Sequence, residues 1–304
     1  MTAGNVKRNR IGYYFIVPYF VAFLIFGLYP ILYSLYISFT NWNGFSSPVF
    51  VGLQNYVRLI HDTAFYQSIL TTLIIWIISI VPQLILALGL AILLNEKFIR
   101  GKHFFRAVFY LPNIVTPVTI GVLAALMFDW KTGSVNKILV ALHIIHVPVN
   151  WLGHPFLAQV IVGGIMCWQY FGYNMLIFTA GLQSIPNEVY EAAEMDGATR
   201  FQIALRITMP MIRPVILFTA VTSVIGGMQI FDVPLMLGNT AGNSTQTMVS
   251  YLYTTGFKRF DYGYASAIAY GIFILIMVMS LVTMKLSSRK NQTVVSDRVA
   301  PVRA

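Results

Sequence analysis

Four of the ten acidic residues in this 304-residue chain, Glu188, Glu191, Glu194 and Asp196, fall within positions 188–196, around Ala192-Ala193 and just before Gly197. Carboxylates grouped in this way can pair with basic groups on another surface, or can simply keep a solvated amphipathic loop soluble. The sequence offers no paired nucleophile and base for covalent chemistry. His143 and His146 are spaced i, i+3 but lack a third ligand nearby, so a zinc-type site is incomplete, and His61, His103 and His154 also lie in loops or near the ends of apolar stretches. There is no G-x-x-x-x-G-K-[ST] phosphate loop and no H-E-x-x-H. The single cysteine, Cys167, rules out an internal disulfide. What remains is non-covalent work: recognition, docking and passage, with no cofactor and no metal in this chain.

A second group of residues suits passage. Gln169 and Tyr173 stand at i, i+4, and Tyr170 and Asn174 stand beside them at the same spacing. Gln229 and Asp232, and Ser266 with Tyr270, lie in later apolar stretches. Aromatic faces next to amides and carboxylates match sugar hydroxyls and ring C–H surfaces. Two other uses compete: Tyr and Trp anchor helices at a membrane interface, and buried amides join helices to one another. The apolar stretches carry no Lys or Arg, which points toward a neutral sugar rather than a phosphorylated one, although helix N-termini can also hold an anion.

The elements that carry these residues are membrane helices. The chain is 57% hydrophobic and 10% charged, with a mean hydropathy of +0.72, where a soluble domain carries about 25% charged residues. No charged residue or histidine occurs in Ile11–Val57, Thr63–Asn95, Ala107–Phe128, Pro214–Phe231 or Tyr262–Met284. Crossing the hydrocarbon core takes about 20 apolar helical residues. Six spans are expected, at about 12–39, 68–94, 107–128, 156–182, 214–237 and 262–285, giving an all-α polytopic membrane protein. The start, Lys7-Arg8-Asn9-Arg10 before an apolar run, resembles a signal peptide, but the run is too long and no small-residue cleavage site follows. It is expected to be a retained first span. Pro18, Pro30, Pro82, Pro117 and Pro234 within the spans are expected to kink them or aid packing.

Charge sets the orientation. With the N-terminus inside, the inner side receives Lys7, Arg8 and Arg10; Lys97, Arg100, Lys102 and Arg106; Arg200, Arg206 and Arg213; and Lys285, Arg289, Lys290, Arg298 and Arg303. That is fifteen of the 20 basic residues, and Arg58, Lys131, Lys137, Lys258 and Arg259 remain outside. The bias satisfies the positive-inside rule and gives N-in, C-in, with residues 1–11 and 287–304 as cytoplasmic tails and the last of these mobile from Lys290. The net charge of +10 is thereby assigned to the lipid bilayer and its orientation rather than to nucleic acid. An ion-coupled secondary transporter or channel is the alternative function. Such carriers need ionisable groups inside the membrane, and Asp232 is the one such residue here.

The acidic cluster then falls in the loop 183–213, the longest cytoplasmic connection. Pro186 suits a helix start, Glu188 sits where a carboxylate favours the helix dipole, and Gly197 suits a helix end. Ile185, Val189 and Ala192 give a narrow apolar face. A second amphipathic piece carries Phe201, Ala204, Leu205 and Thr208, before Pro210 and Pro214. A short helix, a bend and a second short helix are expected. The paired small alanines would let another surface approach closely between flanking acids.

Glu191-Ala192-Ala193, three residues, Gly197, nine residues, Ile207, one residue and Met209-Pro210 resemble the EAA signature of ABC importer permeases. Met209 replaces the family's usual leucine, a volume-conserving departure. Gly52-Leu53-Gln54-Asn55-Tyr56, Tyr110-Leu111-Pro112, Trp168-Gln169-Tyr170, Gly181–Pro186, Phe231-Asp232 and Tyr262–Ala267 are similar to the carbohydrate-type, maltose- and glycerol-phosphate-like inner-membrane branch. Gly238–Asn243 departs from the Thr-Gly-Gly-Pro turn found there. The resemblance implies a type I importer permease fold in a prokaryotic cytoplasmic (inner) membrane, forming half of a pathway for a carbohydrate. It implies a second homologous permease, a cytoplasmic ABC ATPase dimer that binds ATP-Mg, and an extracytoplasmic solute-binding protein. It assigns ATPase coupling to Glu191, Ala192, Ala193, Asp196, Gly197, Ile207 and Pro210. Gln169, Tyr170, Tyr173, Asn174, Gln229, Asp232 and Tyr270 are the candidates for the substrate pathway.

Overall fold

A computed structural model describes residues 3–298 except residue 97, so Lys97 and Arg303 of the charge pattern lie outside the described residues. In chain order the elements begin with α1 (Ala3–Phe23), which continues through a π-turn at Leu24–Leu28 into α2 (Tyr29–Ser38). A hairpin of β1 (Thr40–Asn41) and β2 (Val49–Phe50) precedes α3 (Gln54–Ile60) and α4 (Thr63–Asn95). Next come α5 (Lys102–Ile114), α6 (Pro117–Met127), α7 (Ser134–Ala141) and α8 (Pro155–Gln183). The loop after α8 holds α9 (Asn187–Met195), α10 (Arg200–Ile203), a π-turn at Ala204–Thr208 and α11 (Met209–Met211). The chain ends with α12 (Arg213–Gly227), α13 (Asp232–Ala241), a 3-10 turn at Gly242–Thr245, α14 (Met248–Tyr253), a π-turn at Thr254–Lys258 and α15 (Tyr262–Arg298).

Five helical stretches are long and apolar enough to cross a membrane: Tyr13–Ser38, Thr63–Asn95, Pro155–Gln183, Arg213–Gly238 and Tyr262–Leu286. The third expected span, 107–128, is not a straight helix. It is the pair α5 and α6, bent by 83°, and a sixth crossing exists if this pair counts as one. Pro117 is the cause: the residue before a proline is pushed out of the helical region, and both Val115 and Thr116 are extended, with ψ of 135°. Helix α1 begins at Ala3, and α15 continues from the sixth span to Arg298, so helical backbone extends into both expected tails. No glycine or proline lies between Gly271 and Pro301 to stop it, and an established helix propagates at little cost.

The chain divides into two compact units, Met1–Thr63 with Leu252–Phe273, and Ala64–Tyr251 with Ile274–Ala304. In the first unit the Gly52–Tyr56 stretch finishes α2. A helix end leaves carbonyls without intrahelical partners, and the buried Asn55 amide donates to the carbonyls of Ser38 at 2.9 Å and Thr40 at 2.8 Å. Tyr56 and Ser38 share a hydroxyl hydrogen bond of 2.7 Å. Gly263 packs onto the same place, where a Cβ would lie 2.0 Å from the Thr40 carbonyl oxygen. Arg58 pairs with Asp261 at 2.7 Å and lies 3.8 Å from the centre of the Tyr264 ring, whose hydroxyl donates to Asp62.

The second unit is held by two apolar clusters. One joins α4 (Ile75), α6 (Ala124), α8 (Val162) and α13 (Val233 and Leu237). The other joins the far end of α4 (Ala91 and Leu94) to α8 (Phe178 and Leu182) and to Ile212. Gly172 lets α8 meet α5, because a Cβ there would lie 1.9 Å from the Phe109 carbonyl oxygen. Between α6 and α7, the Asp129 carboxylate accepts from the Thr132 N–H and hydroxyl, each at 2.7 Å, and from the Lys131 N–H at 3.0 Å. These donors, the Thr132 N–H foremost, hold its pKa below the ordinary carboxylate value.

Candidate functional site: the 183–213 loop and two helix breaks

The loop forms two helical pieces about a bend at Gly197. Pro186 is the N-cap of α9, with extended backbone, one position earlier than a first-turn proline. Gly197 follows α9 with φ +76°, the left-handed conformation that glycine adopts without penalty, and nothing lies within 4 Å of where its Cβ would be. Thr199 then opens the second piece with a reciprocal cap: its hydroxyl accepts from the Gln202 N–H at 3.3 Å, and its own N–H donates to the Gln202 side chain at 2.8 Å. The T-x-x-Q pattern was a readable signal for this start. Helix continues from Arg200 through the π-turn to Met211, so Ile207, half-buried, and Pro210, exposed, lie on one near-continuous rod.

The alanine pair divides. Ala193 is buried, and Val189 at i−4 packs against the core. Ala192 is exposed, so the buried face of α9 runs through Val189 and Ala193 and not Val189 and Ala192. Ile185, which lies before the extended Pro186 and outside the helix, packs into the same core from the preceding turn. Glu191, Ala192, Glu194, Met195 and Asp196 all face outward. A small residue flanked by acids is thus presented on the free side, while the second small residue lets α9 lie close to its own chain. Glu96, at the end of α4, pairs with Arg200 across 3.3 Å.

Both of the later breaks in the apolar helices are sites of freed carbonyls. At the α5–α6 bend the Val115 carbonyl accepts a hydrogen bond from the Gln169 amide at 3.2 Å. Gln169 is 1% exposed and its amide joins α8 to this bend. The second break, Met228–Phe231, separates α12 from α13. Here Pro234 cannot donate to the Ile230 carbonyl four residues back, and the Thr247 hydroxyl does so instead at 2.6 Å. Gln229 is exposed at this break and Asp232, half-buried, begins α13. Tyr170, on α8, is half-buried, as is Asp232. Tyr173 is exposed and Asn174 is buried. Tyr270 belongs to the other unit, where its hydroxyl donates to the Ile31 carbonyl at 2.6 Å. Interrupted membrane helices lining a cavity are the usual place for polar backbone at membrane depth. Sequence reasoning missed Arg200, Glu96, Trp76 and Thr247, each of which acts on a partner far along the chain or across a break.

Residues 83–288 match the family described as binding-protein-dependent transport system inner membrane component. The lactose transport system permease protein LacF of Rhizobium radiobacter is 37% identical, over 88% of this chain and 91% of its own length. The probable ABC transporter permease protein YurN of Bacillus subtilis is 35% identical, over 92% of this chain and 97% of its own. The arabinooligosaccharides transport system permease protein AraP of the same organism is 35% identical, over 92% and 90%. The crystal structure of a bacterial ABC transporter involved in the import of the acidic polysaccharide alginate superposes with a TM-score of 0.82 at 25% identity, covering 94% of this chain and 98% of that one. An ion-coupled carrier or channel does not fit these relationships. The chain belongs to the inner membrane components of binding-protein-dependent transport systems: it is a multi-pass permease subunit of an ABC importer, and not an enzyme.

Proposed function

We propose that this permease carries a neutral carbohydrate and takes its driving force through α9. The observation that carries the coupling role is the outward face of α9, with Glu191, Ala192 and Asp196 exposed beside the left-handed Gly197. Such a face suits a groove on a cytoplasmic ATPase, with Glu191 paired to a basic group and Ala192 allowing close approach. Ala193, Gly197, Ile207 and Pro210 hold the shape of the segment behind that face. The ATPase, as a dimer, binds ATP-Mg. A second homologous permease completes the pathway, and an extracytoplasmic solute-binding protein delivers the sugar. The protein sits in the cytoplasmic membrane of a prokaryote with both termini inside, in keeping with the basic residues of its inner loops.

A carbohydrate cargo is supported by the names of relatives that transport lactose, arabinooligosaccharides and, at 31% identity in Thermococcus litoralis, trehalose and maltose. The absence of Lys and Arg from the spans favours a neutral one. Gln229 and Asp232 at the Met228–Phe231 break, together with Tyr170 and Tyr173, are the groups best placed to meet it. Gln169 and Asn174, buried on the same helix as Tyr170, stand behind them, and Tyr270 is a separate candidate in the other unit.

Gly197→Trp tests the coupling role. A Cβ there meets open space, although the left-handed backbone strains any L side chain, so membrane abundance is measured alongside transport: abundance should be normal and transport in the complete system lost. Normal uptake by this variant would remove α9 as the docking element. Uptake assays with lactose, trehalose, maltose, an arabino-oligosaccharide and an alginate oligosaccharide test the cargo, and preference for the acidic sugar would overturn the neutral assignment.

A further inference from the structure

We infer that α4 is a third route by which movement of the coupling segment reaches the membrane helices: Arg200 grips its inner end, and its outer half grips the break between α12 and α13. This rests on the coupling role proposed for α9. The covalent routes are plain, since α9 follows α8 after a short turn and α11 leads directly into α12. No covalent link ties the loop to α4, yet Arg200, the first residue past the bend, reaches it. Its Nη1 lies 3.3 Å from Glu96 Oε2, and its guanidinium lies 5.4 Å from the centre of the Phe98 ring. Around this bridge α4 and the loop stand apart across a cavity of about 310 Å³, lined by Glu96, Asn187, Tyr190, Glu194 and Ile203 among others. The end of α4 is also fixed to α5, because the Asn95 carbonyl accepts from Lys102 Nζ at 3.2 Å.

Twenty residues separate Glu96 from Trp76, roughly 30 Å along a helix, and there α4 takes hold of the second break. Trp76 Nε1 donates to the Ser223 carbonyl at 3.1 Å. Its ring fills the space beside Gly227, the last residue of α12, where a Cβ would lie 1.9 Å from ring carbon Cδ1. One turn away, the Thr72 hydroxyl accepts from the Met248 N–H at 3.0 Å, and the neighbouring Thr247 caps the Ile230 carbonyl at 2.6 Å. Two adjacent turns of α4 thus hold α12 just before the break and the start of α14, whose preceding residue Thr247 caps the break itself. Displacing Glu96 along the helix axis displaces Trp76 and Thr72 with it.

Arg200 is a positioning residue in this scheme. Exposed ion pairs contribute little to static stability, so its loss should leave assembly intact and show in coupling. The complete transporter, with both permeases, ATPase and binding protein, is reconstituted in proteoliposomes. Sugar moved per ATP hydrolysed is measured with whichever of lactose, trehalose or an arabino-oligosaccharide the wild type accumulates fastest. Arg200→Glu and Glu96→Arg should each lower the ratio about threefold, the scale of one exposed pair, with unchanged membrane abundance and ATPase co-purification. The double variant Glu96→Arg/Arg200→Glu should recover most of it. Trp76→Phe, which keeps an aromatic side chain but loses the N–H and the pyrrole edge beside Gly227, should lower the ratio as well. Wild-type ratios in both single charge variants, or a double variant as poor as the singles, would overturn the α4 route. Gly197→Trp run in parallel separates the failures: if it abolishes transport while the charge variants are silent, only α4 is removed, and if it too is silent, the coupling role of α9 falls.

Discussion

The two interrupted spans lie in the same unit and solve one problem differently. Both breaks stand just before a proline and both leave a carbonyl without its helical donor. At Val115-Thr116 the proline is the first residue of the new helix and the chain turns by 83°. At Met228–Phe231 the proline is the third residue of α13, and α12 and α13 still run as a single candidate span, Arg213–Gly238. In the first break the capping group, Gln169, comes from a neighbouring span, α8. In the second it is Thr247, at the start of α14. Position of the proline relative to the break, more than its presence, decides how far the helix is deflected. The halves beyond the breaks then pack together, with Gly121 of α6 admitting Met236 of α13, where a Cβ would lie 2.8 Å from Met236 Cβ.

The glycines beside the breaks give the largest test of this contrast. Gly172→Ala places a Cβ 1.9 Å from a backbone oxygen of α5, whereas Gly227→Ala places one 1.9 Å from a Trp76 ring atom. Backbone yields less than a ring, so Gly172→Ala should be the more damaging, at the upper end of or beyond the ~1–3 kcal/mol typical of overpacking. Thermal melting of the solubilised transporter reads this, and equal melting points would blur the distinction. Thr247→Val comes next. It leaves the Ile230 carbonyl uncapped and should cost about 1–3 kcal/mol. Adding Pro234→Ala restores a backbone N–H four residues on from Ile230 and should recover part of the loss, a coupling visible in a double-mutant cycle. Gln169→Leu should have the smallest effect. It uncaps Val115 but also removes a buried Oε1 that has no hydrogen-bond partner, so the two changes partly offset. Pro117→Ala should not rescue it, because the restored N–H would face the Asn113 carbonyl and not that of Val115.

Much of this architecture was legible because a membrane imposes a coarse rule on sequence. Charge-free runs marked α4, α12 and α15, and prolines at 117 and 234 marked where spans would yield. The bend at Gly197 was legible because helix-ending chemistry is local. The division of Ala192 from Ala193 was not: with apolar residues on both sides of α9, periodicity alone left two adjacent faces open, and contact with α8 and Ile212 chose between them. The amide chemistry of Gln169 fitted either a sugar contact or a helix-joining bond, and the carbonyl it meets lies 54 residues earlier, beyond what spacing can show. The partners of Arg200 and Trp76 lie 104 and 147 residues away, beyond the reach of any helical spacing.

The first membrane helix buries none of its most apolar window within the chain. A polypeptide synthesised in excess of its companions would leave most of that cylinder facing lipid, held by its own chain only toward the α2 end. The gene dose of each subunit should therefore matter, and orphaned copies should be short-lived in the cell, cleared by membrane proteolysis well before those already built into a transporter.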